Sequence, residues 1–141
     1  MLLKAPGGMA LREADPLGFA EAMVEAHLRE FAAMAEHPEP VVFDRGLPDV
    51  VGFLDVSGLA VPRAIDQACR AIRYDGPVLR APAWRAIYRQ DAERIQDWDE
   101  AVASDAAVTA AWRRYGYDVH DLPCASVARR LGVLRLALGR Q

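Results

Sequence analysis

The sequence predicts an α/β domain built on a parallel sheet, and three observations predict it. Short runs of β-branched or aromatic residues, at 41–43, 78–79 and 117–122, alternate with longer stretches whose apolar residues recur at helical spacing. The runs are bounded by proline, glycine or aspartate, residues that stop strands and open helices. Strands alternating with helices pair in parallel and bury the helices on the faces of their sheet.

The elements follow in chain order. Residues 1–14 carry Pro6, Gly7 and Gly8, show no period and are expected as loop. Asp15 and Pro16 open a helix as cap and first helical residue, and Leu17, Val24, Leu28 and Phe31 form its apolar stripe until His37-Pro38 ends it. Val41-Val42-Phe43 reads as a buried strand. A short helix from Pro48 ends near Gly58, and Pro62 opens another that places Ile65, Cys69 and Ile72 on one face. Val78-Leu79 is a second strand, stopped at Pro82. A long helix is expected over about 91–115, with Ile95, Trp98, Val102 and Trp112 on its apolar side and Gly116 as its C-terminal cap. The alternation over 117–122 predicts a third strand, and Val127, Leu131, Leu134 and Leu138 mark a last helix. Trp98 and Leu131 are taken as core residues.

Composition narrows the class. With 141 residues the chain suffices for a single domain with a real core, and 52% apolar with 26% charged residues is ordinary for a globular protein. A net charge of −3 gives no basic excess for nucleic acid. Cys69 and Cys124 form neither a CxxC pair nor a zinc spacing, so both are expected as reduced, packed cysteines. No apolar run approaches a membrane span and the first residues do not form a signal peptide, which leaves a cytoplasmic location as the expectation, with no membrane partner.

Ligands of parallel α/β sheets bind outside the carboxyl ends of the strands. That rule points to Asp44 and Arg45, to the residues after Leu79 and to those after Leu122. In Phe43-Asp44-Arg45-Gly46-Leu47-Pro48-Asp49 a carboxylate and a guanidinium leave a strand end together. An aspartate there can orient a hydroxyl nucleophile or hold a magnesium-bound water, and an arginine can fork onto phosphate oxygens. The same residues also read as an ion pair and a helix cap. Arg85, Arg89 and Arg94 follow the second strand end. They read as a lid-like segment at about 83–95 that closes over a polyphosphate, or as a solvated helix start with surface ion pairs. His27 and His120 have no metal-binding arrangement around them, and no GxSxG supports a serine hydrolase.

Taken together, the Asp44-Arg45-Gly46-Leu47-Pro48-Asp49 segment, the Ala81-Pro82-Ala83-Trp84-Arg85-Ala86-Ile87-Tyr88-Arg89-Gln90-Asp91-Ala92-Glu93-Arg94 segment, a helix at Glu100-Ala101 and Gly116-Tyr117-Asp118 resemble the predicted AAA-type ATPases of the P-loop kinase-like group. That group is similar in layout to thymidylate and deoxynucleoside kinases. The resemblance runs from about residue 15 to residue 138. It implies a three-layer P-loop NTPase-like parallel sheet, ATP or GTP with Mg2+, and phosphoryl transfer to an acceptor or hydrolysis. It places Asp44 and Arg45 near the transferred phosphate as the catalytic pair, and Arg85, Arg89 and Arg94 on the nucleotide phosphates.

One departure stands out. The family's GxxxxGK[ST] loop, whose backbone N–H groups and lysine hold the phosphates, is absent from the chain. The chain therefore resembles a member truncated at its N-terminus, without the first strand, the P-loop and the first helix, and inactive as given. In such folds the first strand lies centrally, so the strands at 41–44 and 78–80 are expected to leave a gap or close on each other. A gap would expose a sheet edge and favour self-association or pairing with another chain. The competing expectation is a non-catalytic or partner-dependent protein that keeps the fold.

Overall fold

The computed structural model describes residues 8–89 and 97–139. Its elements run α1 (Gly8–Ala14), α2 (Pro16–Met34), α3 (Leu47–Val56), α4 (Arg63–Ala71), β1 (Val78–Arg80), α5 (Trp98–Arg114), β2 (Val119–Asp121) and α6 (Val127–Ala137). The chain divides into two compact units, Met1–Arg73 and Tyr74–Gln141.

The first unit is helical. Asp15 caps α2 by accepting a hydrogen bond from the Gly18 N–H at 3.0 Å, and Pro16 fills the first helical position, where its missing N–H costs nothing. The core gathers on α3. Leu47, Val50, Val51 and Leu54 repeat at i, i+3, i+4 and i+7, and all four are fully buried. Phe19 of α2 meets Phe53 of α3 edge to face at 5.3 Å. Ile65 and Cys69, one turn apart on α4, are buried as well. Gly58, with φ +71°, closes α3: its N–H donates to the Asp55 carbonyl and the Leu59 N–H to the Leu54 carbonyl, so the last carbonyls are paired.

The second unit holds the sheet. β1 and β2 are parallel, with Val78, Leu79 and Arg80 in register with Val119, His120 and Asp121. α5 is the crossover between them. A reciprocal capping box starts this helix, with Asp97 accepting from the Glu100 N–H at 2.8 Å and Glu100 accepting from the Asp97 N–H at 2.9 Å. Gly116, at φ +85°, ends it. The Gly116 N–H donates to the Arg113 carbonyl and the Tyr117 N–H to the Trp112 carbonyl, while the Tyr117 and Trp112 rings pack at 4.9 Å. The Tyr117 hydroxyl also accepts from the Tyr74 N–H at 3.0 Å, which fastens the chain just before β1.

Several expectations change. Residues 8–14, expected as loop, form α1, whose Met9 to Ala14 stretch is made of helix-forming residues without an interior glycine or proline. Residues 41–43, expected as a strand, have neither ladder nor helix: among the described residues the sheet consists of β1 and β2. Pro38 and Pro40 remove backbone donors just before this run, Val42 is 56% exposed, and Phe43 is spent on a stacked contact with Phe31 of α2 at 5.9 Å. The third strand is shorter than expected. Of the long helix expected over 91–115, the part before Asp97 lies outside the described residues. Leu131, taken as core, is 41% exposed, and α6 buries no residue completely. Cys69 is packed as expected, but Cys124 is exposed. Among the described residues no helix is long and apolar enough to cross a membrane.

These burials separate two substitutions. Leu54→Ala, which empties a fully enclosed site, is expected to lower unfolding free energy by about 2–5 kcal/mol, and Leu131→Ala by under about 1 kcal/mol, in urea titrations followed by circular dichroism. Equal losses would show that α6 is covered as tightly as α3.

Candidate functional site

The expected catalytic pair lies in the bend that leads into α3. Asp44 and Arg45 are exposed, and Arg45 adopts φ +77°, the one positive φ of a non-glycine among the described residues. A left-handed arginine is disfavoured by its Cβ, so neighbours must hold it. Asp49, one turn into α3, does so. Its Oδ1 lies 3.6 Å from the Arg45 guanidinium, and its Oδ2 accepts from the Gly46 N–H at 3.0 Å. Arg45 is therefore paired with Asp49, in the ion-pair-and-cap arrangement that the sequence left open beside the phosphate-binding one.

Arg85 and Arg89 belong to the second unit and are exposed. Residues 84–87 make a single turn, with the Ile87 N–H on the Trp84 carbonyl and the Tyr88 N–H on the Arg85 carbonyl, so the two arginines do not share a helical face. The Arg85 guanidinium lies over the Trp98 ring at 5.3 Å, and Tyr88 meets the same ring at 5.5 Å. Arg94 lies outside the described residues. Neither unit by itself contains both the Asp44–Arg45 pair and the arginines of the 83–95 segment.

Among the described residues a densely hydrogen-bonded polar cluster gathers around Arg80, and sequence reasoning did not single it out. Arg80, the last residue of β1, forks onto Asp105 of α5, with Nε donating to Oδ1 at 2.8 Å and Nη2 to Oδ2 at 2.7 Å. Its Nη1 donates to Asp121, the last residue of β2, at 3.1 Å. Asp105 also accepts from the Ala83 N–H at 3.0 Å, and Thr109 donates to the Asp105 backbone carbonyl at 2.7 Å. Burial would lift the Asp105 carboxyl, but the bonds from Arg80, the Ala83 N–H and Thr109 outweigh it and hold the group below its ordinary value. Hydrogen bonding to Asp105 raises Arg80 further above its ordinary range, against the opposing effect of burial. A legible signal existed for Asp105: it and Thr109 fall on the stripe of Trp98, Val102 and Trp112, where a charge on an apolar face calls for a partner.

Beside this cluster an open cleft of about 220 Å³ lies outside the carboxyl ends of β1 and β2, lined from the first segment by Ala81, Pro82, Trp84, Ile87 and Tyr88, from the second by residues 122–124, and by Arg130 of α6. Among the described residues no three acidic, histidine or cysteine side chains gather as metal ligands.

The parallel strand pair carries its charged groups and its cleft at the carboxyl ends, the end at which ligands bind in parallel α/β sheets generally. The profile of the AAA domain family matches residues 2–130, and the chain belongs to that family. Membership assigns it to domains of the nucleotide-binding P-loop NTPase type, with which a mixed α/β build and a small parallel sheet are compatible. None of the curated proteins and none of the solved structures matches the chain.

The Asp105 carboxylate gives this unit a defined acid response. Its folded value lies below the unfolded one, so its contribution is complete above about pH 4 and is lost as pH falls through the depressed folded value. Asp105→Asn is expected to be less stable than wild type at pH 7 by about 1–3 kcal/mol. That gap should narrow as pH falls below about 4, measured as urea midpoints at each pH. A gap that stays constant with pH would remove Asp105 from the acid response.

Proposed function

We propose that this chain carries the acceptor side of a nucleotide-dependent phosphoryl-transfer domain of the P-loop kinase-like group. Asp44 orients the attacking hydroxyl or a magnesium-bound water, Arg45 pairs with the transferred phosphate, and Arg85, Arg89 and Arg94 meet the nucleotide phosphates. The observation that carries this reading is the AAA domain match over residues 2–130, which spans both arginine-bearing segments. Left-handed strain at Arg45 supports it, since backbone strain collects at functional turns.

In this reading ATP or GTP and Mg2+ belong to a form of the domain that carries GxxxxGK[ST]. The residues here do not make that site by themselves. Lys4 is the one lysine, with no glycine before it and no serine or threonine after it. Asp44 is a single exposed carboxylate, whereas Mg2+ on a nucleotide is held by carboxylate, phosphate oxygens and its own waters together. On this reading the 141 residues alone turn over no nucleotide.

A second reading is favoured by the pairing of Arg45 with Asp49: a non-catalytic protein that keeps the fold and binds a partner or a second copy through the sheet edge. β1 and β2 ladder only with each other among the described residues, so each presents one outer edge.

Calorimetric titration of this chain with magnesium-ATP and magnesium-GTP is expected to show dissociation constants weaker than ~1 mM, and micromolar binding would overturn the account of the missing loop. In a form that carries the loop, Arg45→Ala is expected to lower turnover by ~10²-fold or more with the fold retained. Unchanged turnover would take Arg45 out of the chemistry and leave the non-catalytic reading.

A further inference from the structure

The cleft beside β1 and β2 has a chemical character of its own. Its wall is mixed: Pro82, Trp84, Ile87, Leu122 and Pro123 give it an apolar side, Tyr88 and Cys124 add polar atoms, and Arg130 is the one cation of the lining. The Arg130 guanidinium lies 5.9 Å from the centre of the Trp84 ring. Its Nε is buried with no hydrogen-bond partner, and no carboxylate pairs with the group among the described residues. Asp121, which immediately precedes the lining residue Leu122, is already bonded to Arg80. A guanidinium beside apolar side chains, with its Nε buried and unbonded and no carboxylate on it, is stabilised by an anion that brings its own apolar surface. At about 220 Å³ the cleft is smaller than the ~300–1,000 Å³ typical of sites for drug-sized ligands, so the occupant is of fragment size.

We propose that this cleft binds a small ring-bearing organic anion, with the ring against Trp84, Ile87 and Leu122 and the anionic group on Arg130. Shape and apolarity select the ring, and the guanidinium selects the charge. A neutral ring leaves Arg130 without a counter-ion, and a small anion without a ring leaves the apolar wall hydrated. The site lies wholly in the second unit and does not depend on nucleotide turnover, so it goes beyond the functional reading above: loss of magnesium-ATP binding or of phosphoryl transfer leaves it standing.

The test uses the full chain and three probes, benzoate, benzamide and acetate, followed by the NMR shifts of the Trp84 indole N–H and of the backbone amides of Leu122 and Cys124. Benzoate is expected to shift these signals saturably, with benzamide and acetate each weaker by about tenfold or more. Arg130→Gln is expected to weaken benzoate by about tenfold or more while leaving benzamide unchanged, and Arg130→Lys, which keeps the charge but loses the fork, to fall between. Arg130 lies on a helix with no fully buried residue, so both variants should fold, and their amide spectra report it directly. No saturable shift by benzoate, equal binding of benzoate and benzamide, or benzoate binding unchanged in both variants overturns the proposal. Shifts by benzoate that centre on residues outside the cleft overturn it equally.

Discussion

The second unit depends on one guanidinium. Arg80 ends β1, and its three nitrogens reach the middle of the crossover helix and the end of the neighbouring strand together. Two strands of three residues each supply few ladder bonds, and a two-stranded ribbon is marginal by itself. The fork on Asp105 and the bond to Asp121 join β1, α5 and β2 by charge-assisted contacts with defined geometry. Because Asp105 also receives the Ala83 N–H, the chain leaving β1 is fixed as it turns toward Trp84. The cleft takes its shape from that turn, so the polar cluster and the apolar site beside it are one construction.

Much of this was legible because local rules act within a few residues. Asp15-Pro16, Gly58 and Gly116 each specify a helix end through bonds spanning no more than five residues, and the structure uses each of them as the sequence predicts. The Asp97–Glu100 capping box is equally local, yet the sequence pattern places the start of that helix near residue 91. The short helix from Pro48 was legible for the same reason, though not that its stripe would hold the core. Residues 41–43 were not, because a strand is defined by its neighbour as much as by its own composition: three apolar residues between prolines and a bend satisfy the pattern and still have no ladder. Leu131 failed similarly, since periodicity marks an apolar face but does not supply what covers it.

The site divides along the same line. Asp44 and Arg45 are conspicuous in the sequence, and the structure adds what the sequence left open, the left-handed turn at Arg45 and its tie to Asp49. The Arg80 cluster is inconspicuous, because its members stand 25 and 41 residues from Arg80 and no short motif contains them. The carboxyl-end rule came within one residue of it, pointing just past Leu79 and just past Leu122. A rule built on topology thus points to the end of the sheet where the Arg80 cluster and the cleft lie.

The spacing of the Arg80 fork also bears on how the chain assembles. The first unit draws its packing from successive helices, with partners near in sequence, and such arrangements form early and quickly. In the second, the guanidinium finds its carboxylates only after α5 has swung the chain back and closed two long loops, whose ordering entropy is spent before the charged contacts return anything. Assembly of this protein is therefore expected to be sequential, helices of the first unit ahead of the sheet, with closure around Arg80 as the slow event.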